Sequence, residues 1–194
     1  MRFNEELLKL HAHVCPRQVL GVRMGELAGK LLGLTLPQQD KRLFVFVETD
    51  GCFADGVMVA TGCSMGHRTM RLLDHGKVAA TFVDTHASMV HALRVRPSSL
   101  AREHALTLYP VTPVRSRWHA QLAAYQELPD GDLLTWGEVD LTISLQAIIS
   151  RPGLRATCAQ CGEEIVNERH IVRNGMVLCR NCAGDGYYRV PVES

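Results

Sequence analysis

Apolar residues Leu20, Met24, Leu27, Ala28 and Leu31 recur at three- and four-residue spacing, and this period predicts a helix over 16–32. Pro16 suits its first position, and Gly33 suits the left-handed residue just past its end. Along another face Gly21, Gly25 and Gly29 return every four residues. Such a stripe lets a second backbone approach closely, within the subunit or across a dimer. A shorter helix precedes it, capped by Asn4 with Glu5 and Glu6 in its first turn and ending near His11.

Segment 42–48 is almost wholly apolar and reads as a central strand. Residues 49–52 follow as a loop, after which Asp55 is expected to cap a helix through 57–60 that ends at Gly62. A second strand is expected over 77–83, and the alternating run 91–96 reads as a third, half-exposed one. Helices are expected over 97–108 and 114–127, then a last strand or strand pair within 133–149. Strands and helices mix without strict alternation, which predicts an α+β core with a mixed sheet and packed helices. Arg151 to Arg155 reads as a linker, which places a core domain at 1–152 and a small appendage at 153–194.

The chain has 194 residues, 46% of them hydrophobic, enough for one ordinary domain with a real core. A formal net charge of +1 provides no strong field toward nucleic acid or an anionic membrane. No apolar run is long enough to span a bilayer, and the start of the chain lacks a signal-peptide core. A soluble, cytoplasmic protein is therefore expected. The seven cysteines change the picture, because their spacing fits metal binding better than disulfides.

Cys158-x₂-Cys161 and Cys179-x₂-Cys182 are separated by 17 residues, which suits a structural tetrathiolate zinc site. Gly162 permits a tight knuckle after the first pair. Between the pairs, 171–178 reads as a hairpin with an Asn174-Gly175 turn, and Cys179 is expected to begin a short helical turn. Knuckle, hairpin and helical turn together suggest a treble clef. So short a segment has too little core to fold without its metal. From Thr157 onward Arg169, Arg173, Arg180 and Arg189 face Glu163, Glu164, Glu168, Asp185 and Glu193. That balance disfavours a phosphate-binding surface and favours protein–protein or interdomain contacts.

The second chemical feature is His11-Ala12-His13-Val14-Cys15-Pro16. In an extended segment alternate side chains share a face, and a residue before proline is pushed toward that conformation. Cys15 would cap the helix, where the helix dipole favours a thiolate. Cys52 lies directly after a strand and ahead of a helix. If the two helix starts converge, His13, Cys15 and Cys52 supply three soft ligands and leave a fourth position open, as in catalytic zinc sites. Zinc and iron both suit that donor set. His11 is a ligand or proton-carrier candidate. Cys63 is a weaker one, because a helix would hold it roughly 10 Å or more from Cys52. Asp50 and Asp55 are candidates for a general base, and equally for turn and cap residues. Segment 62–69 carries His67 and Arg68, which at a helix start could hold an anion, but it lacks the phosphate-loop ending. No nucleophile elbow, dinucleotide-binding glycine motif or ferredoxin-type cysteine run is present.

The run from His11 to Pro16 with Gly21-Val22-Arg23-Met24-Gly25 resembles the FmdE family of formylmethanofuran dehydrogenase proteins. Glu48-Thr49-Asp50-Gly51-Cys52-Phe53-Ala54-Asp55-Gly56 and Thr61-Gly62-Cys63-Ser64-Met65-Gly66 resemble its second signature. The segment from Cys158 to Tyr187-Tyr188 looks like the finger that some members carry. The resemblance implies an α+β core, a treble-clef zinc finger and homodimers, with His13, Cys15 and Cys52 at the family's core metal site. The loop after Gly66 departs from the family pattern, which has a lysine near His67.

These readings converge on a metal-binding protein with a structural zinc and a second transition metal. It would serve as an accessory to a molybdenum- or tungsten-dependent redox complex, with a partner protein there, or as a small metalloenzyme. The alternative is a metal-sensing or regulatory adaptor whose finger mediates protein contacts. An open pocket at His13, Cys15 and Cys52 separates the first reading from the second.

Overall fold

The structure is a computed structural model that describes residues 4–86, 91–149 and 153–189. The side chain of Asn4, residues 87–90, the linker residues Arg151 and Pro152, and Glu193 lie outside the described residues. The chain divides into two compact units, 1–141 and 142–194.

The first unit opens with α1 (Asn4–Leu10) and α2 (Pro16–Leu32). Cys15 is extended at φ −118° and ψ 160°, as the following proline requires, and Pro16 opens α2. At the other end Gly33 is left-handed at φ 65°. The Leu34 N–H donates to the Gly29 carbonyl at 2.8 Å and the Gly33 N–H to the Lys30 carbonyl at 3.3 Å, a Schellman closure.

Next come β1 (Leu43–Val47), α3 (Cys52–Thr61), β2 (Met70–Leu72), β3 (Ala80–Asp84) and β4 (His91–Pro97). They are followed by α4 (Ala101–Leu108), α5 (Arg117–Glu127), α6 (Asp130–Leu133) and β5 (Leu134–Glu138). The sheet order is β2-β1-β3-β4-β5. β1 runs parallel to β2 and antiparallel to β3, with Val45 opposite both Met70 and Phe82. β1 is thus an interior strand, and all five of its residues are buried.

Successive strand side chains alternate between faces. Val45, Val47, Phe82 and Val95 belong to a core shared with Val19, Met24 and Leu27 of α2, Phe53 and Val57 of α3, and Ala124 and Tyr125 of α5. Opposite them, the tilted rings of Phe44 and Phe46 pack at 5.0 Å between centroids, with the Arg71 guanidinium 5.4 Å from the Phe44 ring.

Several expectations need correction. α3 starts at Cys52 rather than beyond Asp55, because Gly51 takes the cap position at φ 71°. β2 was not expected, since three residues carry no periodicity. The 133–149 region yields the single strand β5, one of the two forms expected there, and then the helix α7 (Leu145–Ile149), which was not expected. Residues 65–68 form a turn leading into β2, so His67 and Arg68 stand at no helix start and the anion-holding expectation there fails.

The second unit, beginning with α7, holds two hairpins. β6 (Arg155–Thr157) pairs with β7 (Glu164–Val166), and β8 (Ile171–Arg173) with β9 (Met176–Leu178). The second hairpin turns at Asn174 and Gly175, with φ 51° and 75°, as a two-residue Asn-Gly turn should. Cys179 begins the expected single helical turn, closed by the Ala183 N–H donating to the Cys179 carbonyl at 2.9 Å.

Candidate functional site

The second unit brings its four cysteines together. One ligand atom from each of Cys158, Cys161, Cys179 and Cys182 lies within 4.8 Å of all the others. The Cys161 and Cys179 sulfurs are 3.9 Å apart. A tetrahedral zinc with bonds of about 2.3 Å needs sulfurs roughly 3.8 Å apart, so the donor set fits that ion. Gly162 is left-handed at φ 75°, and its N–H closes the knuckle on the Cys158 carbonyl at 3.0 Å. The Cys179 N–H donates to the Cys158 sulfur at 3.3 Å, and the Cys182 N–H to the Cys179 sulfur at 3.4 Å. Backbone N–H groups, those of Cys161 and Cys179 foremost, pull the Cys158 thiol down to about 6. The neighbouring thiols, Cys179 first, push Cys182 up to about 12. The backbone donors thus favour a thiolate at Cys158, and a bound cation would release protons from the cluster.

In the first unit the glycine stripe sets the geometry. A Cβ on Gly21 would strike the Phe53 carbonyl oxygen, and one on Gly56 the Gln18 carbonyl oxygen; one on Gly25 would lie 2.8 Å from Ala60 Cβ. Gly21 faces residues 53–57 and Gly25 faces 60–61, so α2 and α3 run alongside in the same direction with their starts together. The close approach foreseen from the glycines is intramolecular. Gly29 instead faces the Leu36 side chain.

Cys15 precedes the first residue of α2 and Cys52 is the first residue of α3, so the parallel pair sets the two thiols side by side. Burial first, and then the neighbouring Cys15 thiol and Asp55, push the Cys52 thiol up. The helix start does not overcome these effects at Cys52. Sequence reasoning missed Gln18, which is fully buried and whose Oε1 accepts the Cys15 N–H at 2.8 Å. The signal was present, as a glutamine three residues after a cap position is half of a capping box. Among the described residues its Nε2 has no hydrogen-bond partner.

His13 is exposed, its ring 6.0 Å from that of Trp118 on α5. Among the described residues the finger cysteines are the only group of three or more such ligands in mutual reach, so His13 does not close on the two thiols as placed. His11 Nε2 lies 2.6 Å from Asp55 Oδ2, which ties the segment after α1 to α3. Asp55 is therefore His11's partner and no helix cap. Asp50 is exposed in the turn before α3. Cys63 lies just past the far end of α3, and its buried thiol donates to the Leu43 carbonyl at 3.3 Å. Burial foremost pushes that thiol up.

Next to the thiol pair, Cys15, Trp118, Tyr125 and three cationic side chains line a cavity of about 840 Å³. That volume is in the range of small-molecule sites.

An α+β core and a four-cysteine cluster define a metal-binding protein with a C4 zinc finger. Residues 10–135 match the family described as FmdE, molybdenum formylmethanofuran dehydrogenase operon, and the chain belongs to that family. Residues 153–188 match the prokaryotic dksA/traR C4-type zinc finger. A probable S-adenosyl-L-methionine-binding protein of Archaeoglobus fulgidus is 30% identical over 196 aligned positions, covering 94% of this chain and 52% of the relative. The chain thus spans about half the length of that curated relative. The crystal structure of a tungsten formylmethanofuran dehydrogenase FmdE-like protein from Syntrophus aciditrophicus shares the fold, with a TM-score of 0.61 at 20% identity over 97% of this chain and 94% of that one. No helix among the described residues is long and apolar enough to cross a membrane.

Proposed function

We propose that the core carries a second metal site, built from the Cys15 and Cys52 thiols and completed by the His13 imidazole, while the finger is a structural zinc module with a treble-clef fold. The observation that carries this reading is the thiol pair at the paired starts of α2 and α3. Two soft donors at one point supply half of a tetrahedral set, and His13 stands two residues from Cys15 on an exposed, non-helical segment. Turning His13 off Trp118 brings in the third ligand and leaves a coordination position facing solvent. Zinc and iron suit these donors, and either would supply Lewis acidity there. Gln18 holds the Cys15 backbone in place, and the His11–Asp55 pair fixes the segment that carries His13. Cys63 serves packing and has no part in this site.

On this reading the chain acts in the cytoplasm, as a homodimer, either as an accessory to a molybdenum- or tungsten-dependent redox complex or as a small metalloenzyme. Membership of the FmdE family supports the complex context. The name of the archaeal relative makes S-adenosyl-L-methionine a candidate ligand of the shared half. The adaptor reading predicts a closed core with no cavity; of the three core residues Cys15 lines the 840 Å³ one, and His13 and Cys52 do not.

Cobalt(II) titration followed by thiolate charge-transfer absorption tests the site. Two binding events are expected, and His13→Ala should weaken only the second by roughly 10–100-fold. A single event in the wild type would remove the core site from the account.

A further inference from the structure

We infer that the cavity beside Cys15 binds a small organic phosphate through Arg17, Lys77 and Arg102, with Trp118 as the plate for its flat part. Arg17 follows Pro16 at the start of α2, Lys77 comes from the segment before β3, and Arg102 from the first turn of α4. Three separate elements thus deliver one cation each to one concavity.

Among the described residues no aspartate or glutamate lines that cavity. None of the three cations is in an ion pair among the described residues, whereas Arg23, Arg42 and Arg94 each have a carboxylate at 2.6–2.9 Å. Three cations gathered in one concavity repel one another, and an anionic occupant relieves that repulsion; the carboxylate acting on Lys77 is that of Glu48, which is itself paired with Arg94. Arg102 and Tyr125 both line the cavity. Ser98 and Ser99 add hydroxyl donors at the start of α4. Two guanidinium forks, an ammonium and hydroxyls suit the multiple oxygens of a phosphate dianion better than a single carboxylate.

The half-exposed Trp118 ring offers an aromatic face on the same wall, and the volume exceeds what inorganic phosphate fills. The occupant is therefore a phosphate ester with a planar group. Its position next to Cys15 would present it to the thiol pair, but its binding depends on the cations alone.

The test is calorimetric titration of the full-length protein with phenyl phosphate, benzyl alcohol and benzoate. Trp118 fluorescence gives a second readout in a Trp136→Phe background. Phenyl phosphate should bind at least about tenfold more tightly than either comparison compound, and quench Trp118. Lys77→Gln and Arg102→Gln, both on the surface and folded by circular dichroism, should each weaken phenyl phosphate about fivefold or more without changing benzyl alcohol binding. Cys52→Ser, which removes a core metal ligand but no cavity group, should leave phenyl phosphate affinity unchanged. The inference is overturned if phenyl phosphate binds no better than benzoate, if a variant carrying both Lys77→Gln and Arg102→Gln binds it as the wild type does, or if Cys52→Ser abolishes binding. Loss of metal in Cys52→Ser with retained phosphate binding separates this site from the metal reading.

Discussion

A Cβ atom on Gly56 would occupy the place of the Gln18 carbonyl oxygen. That contact is backbone on backbone, so neither side can swing away. It holds α3 against α2 and thereby sets Cys52 beside Cys15. Gly56→Ala should force the helices apart and lower stability by about 1–3 kcal/mol, the usual range for overpacking. Gly131→Ala, with open space around its would-be Cβ, should show no such overpacking loss. Urea unfolding of the two variants gives the comparison, and equal stabilities would mean that α2 and α3 are not this close.

The finger depends on its ion. Its buried apolar cluster comprises only Cys158, Leu178 and Ala183, with a few partly buried neighbours. Cys158→Ser should lower the zinc content by one equivalent and leave residues 153–188 unprotected in hydrogen exchange. The first unit, which has its own core, should keep its protection. Unchanged exchange in the finger would show that it folds without metal.

Where the chain carried punctuation, the fold was readable in advance. Pro16 and Gly33 bracket α2, and Asn174-Gly175 marks the β8–β9 hairpin, because each residue suits only a few backbone states. The start of α3 was hidden because Gly51 caps it through its own φ of 71°, a choice no side chain advertises. Within the region expected to hold the last strand, Ile148 and Ile149 fall instead in α7, and β-branching is only a weak preference. The thiol pair could be anticipated from two helix starts with a glycine stripe between. The orientation of His13 could not, since an exposed ring is placed by Trp118, a residue remote in the chain.

Cys63 should be inert. Its thiol is buried, pushed above the ordinary range by that burial, and donates to the Leu43 carbonyl. Native-state alkylation with iodoacetamide at neutral pH should leave Cys63 unmodified while it reacts in urea. Rapid native labelling of Cys63 would show that this end of α3 is open.

Acid should loosen the end of β1. The Arg94 hydrogen bonds, at 2.6 and 2.7 Å, are the main cause of a Glu48 carboxyl held below the usual carboxylate range. A lowered folded value means the unfolded state takes up the proton first. The stabilisation is therefore full above the ordinary glutamate value and is lost as pH falls through the folded one. Glu48→Gln should be about 1–3 kcal/mol less stable at pH 7 and converge on the wild type in strong acid. A gap that stays constant with pH would assign the loss to packing instead.

Metal content of the purified full chain is the most direct test of a core site shared by Cys15 and Cys52. The wild type should hold two metal equivalents per chain and Cys15→Ser one, with the finger's zinc retained. One equivalent in both proteins would contradict a core metal and leave the thiol pair as packing at two helix starts.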